Sequence, residues 1–488
     1  MGDLILVLDE GTTSTRAMLF DAAGKHRGVA QAELTQHYPR SGWVEHDAAE
    51  IWDKTLACAR QVVEAAGGAE QIAAIGIANQ RETVVAWDRV TGEPLARAIV
   101  WQDRRTAAWC AELRGAGHED RVREATGLLL DPYFSATKMR WLLDNETPVK
   151  DAAAAGTLAF GTIESWLVFK LTGKHLSDAG NASRTLLLPL TGASWDEGLC
   201  ELFGVPRGAL PEVVDSTAAF GTTGLLGAAI PVLGLAGDQQ AATLGQGCLS
   251  PGDTKATYGT GAFVLSNEGS TVPHSANRLL GTILCQLAGE RTYALEGSVF
   301  VAGSFVKWLR DTLGFIESAS ETEALARSVP DSGGVVVVPA LSGMGAPHWW
   351  PNARGLITGL SFATGRAHIV RAALQAMAHQ TRDLMEAFVA DGAAWSVLKI
   401  DGGMAGNDWM AQDIADITGL AVIRPKFVET TAVGAAMLAA VGADFYPSLD
   451  VAAKAMTGAV TRFEPGMPED ERGARIRAWE QALGAVIG

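Results

Sequence analysis

Asp9 closes an apolar run at residues 4–8 and is followed by Gly11, by the hydroxyls of Thr12, Thr13 and Ser14, and by the cation of Arg16. Backbone N–H groups opened by Gly11, with those hydroxyls and Arg16, suit phosphate oxygens, and the Asp9 carboxylate suits a hydrated Mg2+ beside them. The same loop reads equally as a Thr-rich turn whose hydroxyls fix their own backbone. It is not a Walker A loop, because GxxxxGK[ST] is absent. At Asn79-Gln80-Arg81-Glu82 a cation adjoins an anion just after a second apolar run. Arg81 and Glu82 can donate to and accept from neighbouring hydroxyls of a polyol, with the Trp101 ring as an apolar wall, or they form an ion pair on a turn. Asp238, between Gly237 and an Ala-rich helical stretch, fits a helix N-cap. It fits equally a carboxylate base that takes an alcohol proton during phosphoryl transfer. The turns at residues 258–263 (YGTGAF) and 401–407 (DGGMAGN) have glycines where backbone can approach a phosphate or a base ring, or where it simply turns.

The elements that must carry these residues are short apolar strands. Residues 4–8 and 15–21 read as a hairpin, and 71–77, 83–87, 231–235 and 397–400 as further strands, several ending in Asp with Gly. Stretches 366–391 and 430–442 read as closely packed core helices, the second through Gly434-Ala435-Ala436. This layout predicts α/β domains with active residues gathered at strand ends around a cleft. Asp9 and Asp401 occupy similar local settings, which suggests two related halves. Ser250-Pro251-Gly252 marks the passage between them, so the expected domains are 1–247 and 248–488.

A chain of 488 residues exceeds one ordinary core and suits two or three domains. The net charge of −16 disfavours nucleic acid and anionic lipid as partners, so any phosphate must be met locally. The five cysteines lie far apart without a CxxC pair, which fits neither a disulfide framework nor a zinc site and points to a reducing cytoplasm. The opening MGDLILVLDEG has no basic stretch or cleavage site, and no 18 apolar residues run unbroken, so neither export nor membrane insertion is expected.

Taken in order, DEGTTSTRAMLFD, YPRSGWVEHDAAEIW, GIANQRET, VWQDRRT, DPYFSATK, AGDQQAATLGQ, TYGTGAF, ALEGSVFVAG, GMGAPHWWPNARG and DGGMAGN resemble the FGGY family of carbohydrate kinases over nearly the whole chain. The resemblance implies two ribonuclease-H-like α/β domains of the actin and sugar-kinase type flanking a catalytic cleft. It implies ATP-dependent phosphorylation of glycerol to sn-glycerol 3-phosphate in glycerol catabolism, with Mg2+. In its terms Asp238 is the base, and Arg81, Glu82, Tyr133 and Gln239 meet the glycerol hydroxyls between walls formed by Trp101 and Phe263. Asp9 associates with Mg2+ through water, Thr12, Thr13, Ser14 and Arg16 face the phosphates, and Thr260, Gly303, Gly403 and Asn407 meet the nucleotide. AGDQQ with NQRE favours glycerol over pentuloses, and by family analogy the enzyme is a homodimer or tetramer. A kinase for erythritol or xylulose, and a non-catalytic ATPase of the same superfold, are the alternative readings.

Some residues depart from the family pattern. Glu10 stands where Gln is common, so its carboxylate is expected to point away from the triphosphate or to pair with a cation. His348, Trp350 and Asn352 differ from the usual residues of a segment that is expected to be structural. Residues 222–230 (TTGLLGAAI) carry no Arg, Lys or His, and no histidine lies between His175 and His274. Control by fructose 1,6-bisphosphate or by histidine phosphorylation, found in some relatives, is therefore not expected.

Overall fold

A computed structural model describes residues 2–350 and 352–487. The ends of the two expected domains, Met1 and Gly488, and Pro351 in the segment expected to be structural lie outside the described residues.

The apolar runs become strands covered on both faces, as continuous rather than alternating hydrophobicity demands. The first sheet contains β1 (Leu4–Glu10), β2 (Ser14–Asp21), β3 (His26–Glu33), β4 (Ile72–Asn79), β5 (Thr217–Thr223) and β6 (Ile230–Gly237). Their spatial order is β5-β6-β4-β1-β2-β3. The expected hairpin is β1 with β2, antiparallel, and its register sets Asp9 opposite Arg16. The second sheet contains β7 (Asp253–Tyr258), β8 (Ala262–Gly269), β9 (Leu280–Leu287), β10 (Glu290–Val299), β11 (Val397–Asp401), β12 (Val422–Pro425) and β13 (Val460–Phe463). Its order is β9-β10-β8-β7-β11-β12-β13. The strand expected at 83–87 runs Val85–Asp88 and pairs with Leu158–Gly161, apart from both large sheets.

The two sheets repeat one plan. β1 pairs antiparallel with β2 and parallel with β4, as β7 pairs antiparallel with β8 and parallel with β11. Beyond them β6 lies parallel to β4 and antiparallel to β5, as β12 lies parallel to β11 and antiparallel to β13. The chain order at that edge differs, since β5 precedes β6 whereas β13 follows β12, and the opposite edge of the second sheet carries the extra strand β9. This repeat shifts the expected pairing of Asp9 with Asp401. The counterpart of Asp9 lies at the end of β7, beside Tyr258 and Gly259, and Asp401 at the end of β11 corresponds to Asn79 at the end of β4.

Three helices matter for the site: α1 (Asp238–Gly245), α2 (Arg366–Ala390) and α3 (Thr430–Gly442). α1 and α3 leave β6 and β12 in matching positions and cross face to face between the sheets. A Cβ on Gly434 would lie 1.9 Å from the Ala241 carbonyl oxygen, so the crossing closes only with glycine there. From the other side Ile5 and Val7 of β1 share a core with Ala436, Met437 and Leu438 of α3. The small residues of α3 thus serve packing, and the last fifth of the chain helps to build the core behind the first strand. α2 lies in the second half, where Leu374, Met377 and Leu384 pack with Leu398 and Ile400 of β11.

Candidate active site

The C-terminal ends of β1, β4, β6 and β7 and the turns that follow them carry most of the expected chemistry. At the end of β1 the chain turns tightly, with the Gly11 N–H donating to the Ser14 carbonyl at 3.0 Å. Asp9 is buried and accepts from Arg16 at 2.5 Å, while the other arm of Arg16 reaches Glu429, just before α3, at 2.6 Å. Burial raises the Asp9 carboxyl above its ordinary range despite the Arg16 cation. Arg16 is thus held between two carboxylates from opposite halves of the chain. Thr13 is exposed, Ser14 accepts from Gln31 at 3.1 Å, and Thr12 accepts from the Trp101 indole N–H at 2.9 Å. That last bond ties the aromatic wall to the phosphate turn.

Glu10 points away from the turn, as expected, but no cation neutralises it. Its Oε1 accepts from the hydroxyls of Thr15 and Thr55 at 2.5 and 2.6 Å. Its Oε2 is buried without a partner. Burial pushes the carboxyl up to about 8, so a proton does the work expected of a cation.

At the end of β4 the ion pair of Arg81 and Glu82 is not a surface turn: the two residues are 3 % and 1 % exposed. Glu82 is held at φ 60°, a left-handed conformation that a non-glycine residue keeps only where its surroundings impose it. The imposition comes from a four-membered ring of charges. Arg81 binds Glu296 at 2.5 Å, Glu296 binds Arg184 at 3.0 Å, Arg184 binds Glu82 at 2.6 Å, and Glu82 lies 3.9 Å from Arg81. Two guanidinium groups hold the Glu296 carboxyl down at about 2. Glu82 has the weaker set of contacts, and burial prevails there and raises it. Glu296 comes from β10, so this ring joins the two halves.

Asp238 opens α1, and Gly237 rather than Asp238 is the N-cap. The N-cap reading is therefore not realised: among the described residues the Asp238 carboxylate accepts a hydrogen bond only from the adjacent Gln239 N–H, at 2.7 Å, which orients it. Gly237 also makes room for Arg81, whose Cγ would lie 2.6 Å from a Cβ at that position. Arg81 Nε stands 3.4 Å from Asp238, whose side chain is 34 % exposed and opens onto the cleft. The enclosing protein raises the Asp238 carboxyl above the ordinary carboxylate value, against the pull of Arg81 and Lys255. Lys255 of β7 is buried and donates to the Gln239 side chain and, at 2.9 Å, to Thr257. Tyr133 accepts from Arg81 at 3.3 Å. The Trp101 ring lies edge-on to Tyr133 and Phe263, with centroids 5.7 and 6.4 Å away. Arg81, Glu82, Trp101, Tyr133, Asp238, Gln239 and Phe263 therefore converge on one place.

Thr260, Gly303, Gly403 and Asn407 lie elsewhere, around a cavity of about 700 Å³ at the ends of β7 and β11. Asn407 uses its side chain on protein partners, capping the Met410 N–H at 2.9 Å and donating to Thr322 at 3.1 Å. It shapes the turn as much as it faces the cavity. The expected structural segment fits that description, with His348 3.5 Å from Asp383 and Trp349 donating to the Arg278 carbonyl at 2.9 Å.

Glu296, Arg184 and Lys255 were not singled out in the sequence, although Glu296 and Lys255 left a trace. Glu296 is a lone carboxylate in the otherwise apolar TYALEGSV of β10, and Lys255 a lone cation in DTKATY of β7. Buried charges of this kind require partners: those of Glu296, Arg81 and Arg184, are more than a hundred residues away, and Lys255 reaches Gln239 across the seam.

The model of the N-terminal domain of the FGGY family of carbohydrate kinases matches residues 4–245, and that of the C-terminal domain residues 254–443. The chain is 55 % identical to a glycerol kinase of Alcanivorax borkumensis, over 99 % of this chain and 98 % of that one. It is 53 % identical to a glycerol kinase of Deinococcus radiodurans, over 98 % and 96 %. Its structure is similar to the crystal structure of Plasmodium falciparum glycerol kinase with ADP, with a TM-score of 0.93, 34 % identity, and 100 % of this chain and 99 % of that one covered. Matched domain models on both sides of the cleft, and relatives alike over nearly their whole length, agree with the strand plan: the chain belongs to the FGGY family of carbohydrate kinases.

Proposed function

We propose that the chain transfers the γ-phosphoryl group of ATP to a terminal hydroxyl of glycerol, giving sn-glycerol 3-phosphate and ADP. The observation that carries this reading is the placement of Asp238. Its carboxylate is oriented by Gln239, raised in basicity, and open to the cleft beside Arg81 and the three aromatic rings. The similar glycerol kinases, of which this chain covers nearly the full length, support the same substrate.

In the mechanism Arg81 donates to one glycerol hydroxyl, and Glu82 and Tyr133 orient the others. Trp101 and Phe263 cover the carbon skeleton and keep water from the acceptor position, where it would hydrolyse ATP without product. Asp238 accepts the proton of the attacking hydroxyl as the new P–O bond forms and the bond to the β-phosphate oxygen breaks. A carboxylate suffices because the transition state is loose and the proton leaves late. Backbone N–H groups of the turns after β1 and β7 face the triphosphate from the two halves, and the cavity of Thr260, Gly303, Gly403 and Asn407 takes the nucleoside.

The donor set fits Mg2+. Asp9 lies near the end of β1 at the phosphate turn and its charge acts on Asp238, and the described residues contain no cage of three or more His, Cys, Asp or Glu. One or two carboxylates with water and phosphate oxygens are what Mg2+ ordinarily takes, and when bound it neutralises the triphosphate.

The test is ADP release with MgATP against a panel of glycerol, erythritol, xylulose and water alone. Glycerol should raise the rate by orders of magnitude over water and stand above the other acceptors. A rate indifferent to any polyol would point to an ATPase, and a higher kcat/KM for xylulose would move the substrate to pentuloses.

A further inference from the structure

α1 begins at Asp238, and at its other end lies a second cavity, of about 620 Å³. It shares no lining residue with the nucleotide cavity. Both halves of the chain build it: Lys25 comes from the β2–β3 turn, His26 opens β3 and Gln246 follows α1, while Lys399 of β11, Phe427 and Val460 come from the second half. The His26 and Phe427 rings stack across this seam, with centroids 5.8 Å apart and planes at 28°.

Its charge is opposite to that of the molecule. The chain carries 55 Asp and Glu against 39 Lys and Arg, yet two lysines and a histidine line this cavity and no acidic side chain does. Lys399 donates to the carbonyls of Gln246 and Gly247 at 3.0 and 2.9 Å, which leaves its third N–H.

We propose that this cavity is a second small-molecule site, for an anion with an aromatic body. The ring lies against the His26 and Phe427 stack, and the anionic group meets Lys25 and Lys399. Its volume is that of an ordinary ligand pocket, with apolar walls and a few polar groups that set orientation. The site is independent of the identity of the phosphoryl acceptor.

The test compares two fluorescent probes on the full chain in saturating MgADP, which fills the nucleotide cavity. 1-Anilinonaphthalene-8-sulfonate has the rings, the N–H donor and the anion, whereas N-phenyl-1-naphthylamine has the rings and the donor alone. The sulfonate should bind once per chain and at least tenfold more tightly than the neutral amine. Lys25→Glu should weaken the sulfonate at least tenfold and change the amine less than twofold. Val460→Trp, at a half-exposed wall, should remove both. Lys25 is exposed, so its variant carries the charge test even where the bulky one does not fold, and an unchanged unfolding midpoint certifies each protein. Equal affinities for the two probes, or sulfonate binding that is indifferent to Lys25→Glu or abolished by MgADP, would overturn the proposal.

Discussion

Replacing Glu296 by Gln keeps the shape of the side chain and removes the carboxylate that joins the two halves. The carboxyl is fully buried and lies at about 2 instead of its ordinary 4.5. At about 1.4 kcal/mol per pH unit, that difference corresponds to about 3 kcal/mol of folding stability. The figure agrees with the 3–5 kcal/mol or so expected when one partner of a buried ion pair is removed. Arg81 and Arg184 would then share Glu82 as their close buried counter-charge, with Asp238 beside Arg81 at the cleft. A group whose value is depressed in the folded state contributes its full stability above the unfolded value and loses it as pH falls through the folded one. The contribution of Glu296 is therefore complete above about pH 4.5 and disappears toward pH 2. Urea unfolding followed by tryptophan fluorescence should place the variant about 3 kcal/mol below the wild type at pH 7, with the same gap at pH 5. The first transition is the one to compare, because a two-domain chain need not unfold in one step. The KM for glycerol should also rise, since Arg81 loses the bond that positions it. A gap below about 1 kcal/mol, or one that closes between pH 7 and pH 5, would refute the placement of Glu296 between two arginines.

Three further outcomes follow from the same geometry. Glu10 keeps a proton in the folded state between about pH 4.5 and 8 that the unfolded chain has lost, so the wild type should lose stability as pH rises through that window; Glu10→Gln should flatten this dependence in urea unfolding at pH 6 and 9. Gly434→Ala puts a Cβ against the Ala241 carbonyl where α1 and α3 cross, and should lower stability by about 3 kcal/mol or more, read as an unfolding midpoint several degrees lower. Fructose 1,6-bisphosphate should leave the rate unchanged in the ADP-release assay, because residues 224–230 offer no cation to its phosphates.

Residues whose chemistry is local were legible before the structure. Asp9 could be read because an apolar run stops there at a Gly-bearing turn, and the hairpin that places Arg16 opposite it follows from the same pattern. Asp238 and Arg81 could be read as a pair of candidates, but not as neighbours at 3.4 Å, because they come from β4 and β6, which are adjacent only in the folded sheet. Glu296 and Lys255 were harder still: each is a buried charge in the inner part of a strand, and its meaning lies in partners from the other half. Glu10 shows the limit from another side. Its sequence context says that a negative charge sits beside the phosphate turn, and only its enclosure by Thr15 and Thr55 shows that the charge is absent at neutral pH. The likeness of Asp9 and Asp401 pointed correctly to a repeated plan while matching the wrong strands, because Asp-Gly ends several strands of this fold for reasons of turn geometry.

The most direct test of the central claim is Asp238→Asn, measured for glycerol binding by calorimetry and for turnover by ADP release. The amide keeps the Gln239 contact and the shape of the pocket but cannot accept the proton. Glycerol affinity should stay within a few-fold of the wild type while kcat falls by about 10²–10⁴. Near-normal turnover in a variant that binds glycerol normally would contradict the claim.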